Sequence, residues 1–180
     1  RLSADASINY INQDAENRAG TGYDEDNPMQ QFIWFGRQVD MNQLRNFRCY
    51  EGAPTGCQDG GQFNWNYNYH NNPYWEAVVN GNEDTRDRVI GHVATQYQLT
   101  DWLNARAQLS RDWYRDRRRD WVHHYSLEAP DGSFNENNIY RAETNGELLF
   151  SATRALNDRL SLDFTAGGNV RRNDFETNGV

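Results

Sequence analysis

Lysine is missing from this chain: all eighteen basic residues are arginine, set against 26 aspartates and glutamates for a net charge of −8. Guanidinium makes planar, bidentate contacts with phosphate and carboxylate, although genomic base composition accounts equally well for the absence of Lys. With a pI near 4.9, the chain lacks the positive field that a nucleic-acid binder needs. Long apolar runs are missing too. No stretch approaches the roughly 18 apolar residues of a membrane-spanning helix, which excludes a helical membrane protein. A transmembrane β-barrel is not excluded, because its strands alternate and never build a continuous apolar run. Also absent are an initiator Met, a targeting signal, and any G-x-S-x-G, H-E-x-x-H, P-loop or C-x-x-C motif. The four histidines, His70, His92, His123 and His124, are scattered. An enzyme is therefore not expected, and no cofactor is implied. A glycoside hydrolase pair of carboxylates leaves no linear signature, since its separation is three-dimensional.

What is present is aromatic and wet. The apolar fraction of 37% and mean hydropathy of −1.03 are low for a domain of 180 residues, yet aromatics at 13% are too plentiful for a disordered chain. That combination points to large solvated surfaces studded with Trp and Tyr.

Period-2 counting gives five strand candidates. The first, about 2–11, sets Leu2, Ala4, Ala6, Ile8 and Tyr10 on one face against Ser3, Asp5, Ser7 and Asn9. The second and third, about 86–100 and 103–121, form a hairpin around Thr100-Asp101-Trp102. The fourth, about 147–155, and fifth, about 160–171, join through Leu156-Asn157-Asp158-Arg159. The other connections, about 12–84 and 122–145, are long. Short turns at one end and long loops at the other are the polarity of a transmembrane barrel, and Trp102, Trp113 and Trp121 suit its two interfacial girdles. A β-sandwich gives the same alternation. The fold class expected is all-β, an antiparallel up-and-down meander. The chain opens in mid-strand at Arg1 and stops at Val180 without a tail, so a segment of a longer protein is expected.

The long loop carries three further features. Val39 to Phe47 suits a short helix with Asp40 as N-cap. Cys49 and Cys57 flank Gly52, Pro54 and Gly56, a spacing expected to close a local disulfide and hence an oxidising compartment. Two free thiols or half a metal site are the alternatives, and with no nearby His a structural zinc is not expected. Then Gly60 to Trp75 alternates aromatics with Asn, a chemistry that suits sugar rings and peptides as well as internal packing. Trp65, Tyr67, Tyr69, Tyr74 and Trp75 are the candidate contacts to a ligand or partner lid, with loop packing expected of most of them. Asp24-Glu25-Asp26 offers oxygens to calcium but lacks the spacing of a known loop, so a solvated acidic turn is expected and no metal site. In the Arg-rich stretch from Arg111 to Trp121, Arg115, Arg117 and Arg119 are candidates for lipopolysaccharide phosphates. The alternative is a self-neutralised strand in which Asp112, Asp116 and Asp120 pair across or along it.

From Asn71 to Arg118 the sequence resembles a barrel segment of the SusC/RagA-like family of TonB-dependent outer-membrane transporters. The elements that carry the resemblance are Asn72-Pro73-Tyr74-Trp75, Asp87-Arg88-Val89-Ile90-Gly91, Thr100-Asp101-Trp102-Leu103 and Asp112-Trp113-Tyr114. Upstream WFGRQVDMNQLRNF and downstream LDFTAGGNVRRNDF are similar in the same order, so nearly the whole chain is covered. The resemblance implies part of a barrel of about 22 strands in a Gram-negative outer membrane. It also implies import of oligosaccharides or peptides, received from a SusD-like lipoprotein and driven by TonB through a plug domain that this sequence does not contain. Outer-membrane lipid would be the remaining partner. The competing expectation is a secreted carbohydrate-binding or adhesive β-sandwich, in which Val93, Tyr97, Leu103 and Leu109 would lie under a second sheet.

Overall fold

A computed structural model describes residues 1–180 except 24–26, 50–56 and 158. The acidic turn Asp24-Glu25-Asp26, the glycines and proline between the two cysteines, and Asp158 thus lie outside the described residues. The fold is all-β: β1 (Leu2–Glu16), β2 (Gly81–Gln98), β3 (Leu103–Val122), β4 (Ser133–Asn157) and β5 (Leu160–Gly179) form one sheet in that order. Three short helices, α1 (Pro28–Ile33), α2 (Met41–Leu44) and α3 (Pro73–Val78), interrupt the segment between β1 and β2. No described helix is long and apolar enough to cross a membrane.

Paired side chains fix the register. Partner numbers fall as strand numbers rise in Arg1–Gln98, Ser7–His92 and Asn12–Asp87, and again in Arg88–Asp112 and Arg86–Asp116. The same descent runs through Thr153–Asp163 and Ser151–Thr165 between β4 and β5. Neighbouring strands are therefore antiparallel throughout, the meander expected from the sequence.

The strands outrun their expected limits. β4 begins at Ser133, not near Glu147, which shortens the connection after β3, and β5 continues to Gly179. Ser133 to Tyr140, SFNENNIY, has too few apolar residues to register in hydrophobic counting. Both α1 and α3 start with Asn-Pro. Asn27 and Asn72 accept from the N–H two residues on, at 3.1 and 2.8 Å, while Pro28 and Pro73 occupy a position whose N–H would be unsatisfied anyway. α2 is capped by Asp40, which accepts from Asn42 N at 2.8 Å, as the sequence led us to expect.

The chain divides into two compact units. Unit 1 comprises residues 1–13, 86–116 and 138–178, and unit 2 residues 14–85, 117–137 and 179–180. Unit 1 is bare sheet. Its odd positions in β1 share a face with the even positions of β2 and β3 and the odd positions of β4 and β5, as Asp5–His92, Arg88–Asp112 and Thr153–Asp163 require. This face is polar. The opposite face carries Leu2, Ile8, Val93, Tyr97, Leu109, Leu148, Phe150, Leu162 and Phe164, all exposed; Val93 is 46%, Leu109 53% and Phe164 62% accessible. Among the described residues of unit 1 the only buried apolar side chains are Ala94 and Ala142. No second sheet lies over this face among the described residues, and the sandwich expectation lacks its second layer.

Unit 2 holds the core: Leu44, Trp75, Val79 and Cys49, which is joined to Cys57 in a disulfide with Cα atoms 5.6 Å apart.

At Gly167 on β5 there is no room for a side chain against β4. A Cβ there would lie 2.6 Å from Leu149 Cδ2 and closer still to the Leu148 carbonyl oxygen, whereas at Gly168 it would meet nothing. Gly167→Ala is expected to cost about 1–3 kcal/mol, the usual cost of overpacking, while Gly168→Ala stays near neutral. Denaturation midpoints of the two variants check this, and equal midpoints would refute the close approach.

Candidate functional site

Unit 2 is built around amides rather than around oil. Asn71, 2% exposed, accepts from Gln62 Nε2 at 2.6 Å and from Leu127 N at 2.8 Å, and its own amide donates to both Glu76 and Glu128. Asn80 donates to the same two carboxylates at 3.0–3.2 Å and accepts from His123 N and Ser126 Oγ. Asn72 donates to the Leu44 and Phe63 carbonyls, both at 2.7 Å, while its N–H donates to Gln62 Oε1. Each buried amide thus satisfies backbone or carboxylate groups that the irregular chain leaves open, which is what burial of polar groups demands. Asn72 is the N-cap of α3 and Asn80 follows its C-cap Val79, so the network holds the helix at both ends.

The aromatics of Gly60 to Trp75 separate into packed and available. Trp75 is fully buried, not a ligand contact: its ring meets Phe47 and His123 edge-on, and its Nε1 donates to Ser126 Oγ at 2.8 Å. Trp65 is half-buried against Phe35, with ring centroids 5.4 Å apart, and its Nε1–H has no acceptor among the described residues. Tyr67 is partly exposed, its hydroxyl accepting from Asn64 N at 3.0 Å, and it lines a cavity of about 200 Å³ with Gln62, Tyr125 and Pro130. Tyr74 is half-buried, and Tyr69 stands 77% exposed. Trp121 also turns to packing, donating to the Val79 carbonyl at 3.2 Å, whereas Trp102 is 44% exposed and Trp113 lies beside Tyr140 with ring centroids 6.4 Å apart.

The three candidate arginines differ. Arg115 and Arg117 are exposed. Arg119 is not open to a phosphate, since Glu83 and Glu136 each take one of its nitrogens at 2.7 Å. Hydrogen bonding, first to Glu136 and then to Glu83, holds its guanidinium above the ordinary value. Asp112 and Asp116 pair across to Arg88 and Arg86 on β2.

On the polar face of unit 1 the structure assembles a row that counting along the sequence does not reveal. Ser7 Oγ and Asp5 Oδ2 lie 2.9 Å from Nδ1 and Nε2 of His92 respectively. Those residue types serve nucleophilic catalysis only where donors await an oxyanion and water is excluded. Here Asp5 is 69% exposed on an open strand, so the row acts as cross-strand pairing. Among the described residues no group of three His, Cys, Asp or Glu side chains is arranged to hold a metal.

On the same face β3, β4 and β5 frame a groove of about 420 Å³ lined by Asp112, Tyr114, Arg141, Glu143, Arg171 and Phe175 among others. Its volume falls within the roughly 300–1,000 Å³ of small-molecule sites.

The Asn71 cluster yields a sharp expectation. Asn71→Asp keeps shape and acceptors but turns the amide that holds two carboxylates into a third one. Its cost is expected at about 3 kcal/mol or more near pH 7, as for an uncompensated buried charge. Burial raises the introduced carboxyl's folded-state pKa, so the penalty exists only above its unfolded value of about 3.9 and shrinks towards that pH. Urea titrations at several pH values check this, and a pH-independent deficit would contradict it.

Searched against models of known protein families and against the curated proteins, the sequence matches none of them.

Proposed function

We propose that this chain is a stretch of barrel wall with its extracellular loops, from a TonB-dependent outer-membrane transporter of the kind that SusC/RagA-like proteins represent. The observation that carries the proposal is the two-faced sheet of unit 1, apolar and uncovered on one side, hydrogen-bonded and charged on the other. In water such a face would aggregate; exposed apolar surface on this scale marks an interaction site. Lipid is the medium that asks of a surface only that it present no unpaired polar group. From Val89 to Leu99, at roughly 3.3 Å per residue and a tilt near 40°, the apolar side of β2 would cover about 25 Å, the height of an outer-membrane barrel's apolar band. Tyr97 and Trp102 at one end of that band, and Trp113 with Tyr140 at the other, suit the two interfacial girdles.

Two further features support a segment of a closed barrel. β1 and β5 each have one neighbour, so two long ladders of N–H and C=O end in nothing within this sheet. A bilayer tolerates such edges only when further strands close the ring. The polar face, with Arg88–Asp112, Arg86–Asp116 and Arg171–Glu143, suits a water-filled or plugged lumen. On this proposal the protein imports oligosaccharides or peptides together with a SusD-like lipoprotein, with Tyr69, Tyr67 and Tyr74 as the loop aromatics still able to meet ligand or lid.

Site-directed spin labelling of the full protein in outer-membrane vesicles tests the proposal. Labels at Val93, Leu109 and Phe164 are expected to relax with oxygen dissolved in lipid, and labels at Gln96 and Gln108 with a water-soluble nickel chelate. If the two sets respond alike, or if the protein stays soluble and monomeric without detergent, the barrel proposal is wrong.

A further inference from the structure

The groove on the polar face of unit 1 has an uneven balance of charge. Two carboxylates on this face line it, and each already has a cation: Asp112 is held in two places by Arg88, and Glu143 lies 3.4 Å from Arg171. Oriented with its nitrogen to Glu143 at 3.1 Å and its oxygen to Arg171 at 3.2 Å, the assignment that satisfies both groups, the Asn173 amide bridges the Glu143–Arg171 pair. Arg141 is the exception. It is exposed, its guanidinium lies 4.9 Å from the centre of the Phe175 ring, and no carboxylate is within ion-pair distance of it among the described residues.

We propose that this groove binds a sugar residue bearing a carboxylate, a uronate unit of a glycan, with Arg141 as the anion contact. Guanidinium offers a planar fork that matches carboxylate in two hydrogen bonds, and the Phe175 ring holds that fork in place without using its donors. Phe175, 61% exposed, supplies a flat apolar surface for the C–H side of a pyranose, beside Tyr114, whose ring carries the Arg86 guanidinium 5.0 Å from its centre. Each paired carboxylate keeps lone pairs beyond those its cation uses, and these accept from sugar hydroxyls. A neutral sugar would use the aromatic and acceptor parts and leave Arg141 idle. A free cationic ligand would find both carboxylates already compensated and Arg141 opposing it.

This inference rests on the transport reading only in taking the polar face as the one that meets solute; binding itself is measured without it. Isothermal titration of the full protein in detergent compares β-1,4-linked triglucuronate with neutral cellotriose and with the dipeptide Ala-Ala. Triglucuronate is expected to bind roughly tenfold or more tightly than cellotriose, the scale of one charge-assisted pair. Arg141→Gln should erase that preference, and Arg141→Lys should keep part of it. Phe175→Ala should weaken both sugars, while Arg106→Gln, which alters an arginine outside the groove lining, should change neither. Equal binding of the two trisaccharides, no binding of either, tighter binding of Ala-Ala, or a preference that survives Arg141→Gln would each overturn the proposal. Loss of the two-sided labelling pattern with triglucuronate binding intact would sink the transporter and keep the groove. The converse result would leave the transporter standing and remove the groove.

Discussion

An apolar sheet face that no second layer covers among the described residues is the constraint on which unit 1 depends. A soluble sheet hides one face against a second layer, and the energy of that burial holds its strands together. Here five strands expose Val, Leu, Phe and Tyr to the same side, while among the described residues of unit 1 the buried apolar side chains are Ala94 and Ala142. Cross-strand ladders and ion pairs on the polar side set register, but exposed pairs of this kind contribute little to stability. The missing term must come from outside this sheet. Supplied by lipid, it explains together the small residues Gly91, Ala105 and Ala107 on that side, the aromatics at its ends and the unclosed edges.

Unit 2 solves the opposite problem. A long connection with few apolar residues has to become ordered, and a loop of that length does so only with an interior of its own. Among its described residues the interior holds Trp75, Leu44, Val79 and Cys49 as buried apolar residues, together with a lattice of amides. Asn71, Asn72, Asn80 and Gln62 work as two-sided connectors, donating with one end and accepting with the other, so a single side chain closes gaps in two chain segments at once. Such networks are stabilising only when complete. That requirement makes the amide positions less replaceable than their polarity suggests, and it reads the Asn-rich composition as structure before it reads it as ligand chemistry.

Much of this was legible in the sequence, and the boundary between legible and hidden follows the physics. Period-2 alternation revealed which side of β1, β2, β3 and β5 is apolar, because a half-buried or lipid-facing strand must separate its residues by face. It missed the first half of β4, whose pairing rests on backbone hydrogen bonds and not on an apolar side. Asp40 announced α2 by its side-chain chemistry. The Asn-Pro starts of α1 and α3 carried the same kind of signal, with the cap and the donor-free residue adjacent. Pairings such as His92 with Asp5 and Ser7, or Asn71 with Glu128, were out of reach, since each spans a long connection whose register no local pattern sets. The aromatic run after Gly60 looked uniform on paper; only burial distinguishes Trp75, which packs, from Tyr69, which does not.

The same separation explains what the arginines do, and why a total of eighteen says little about any one of them. Arg86, Arg88, Arg119 and Arg171 are each matched to a carboxylate on a neighbouring strand, so their charge is consumed in holding register. A chain of net charge −8 has acids enough to neutralise every guanidinium, and where one stays unmatched the geometry, not the composition, has kept the acids away. Arg141 is such a case: Glu143, two residues along the same strand face, is turned to Arg171, and the Arg141 guanidinium lies against the Phe175 ring, 4.9 Å from its centre. An unmatched cation in an acidic protein holds a large fraction of its electrostatic free energy in reserve for a ligand, because no internal partner must first be displaced. On the proposed reading, recognition on the polar face turns on which charge the fold leaves unpaired, a property of register that no count of residues contains.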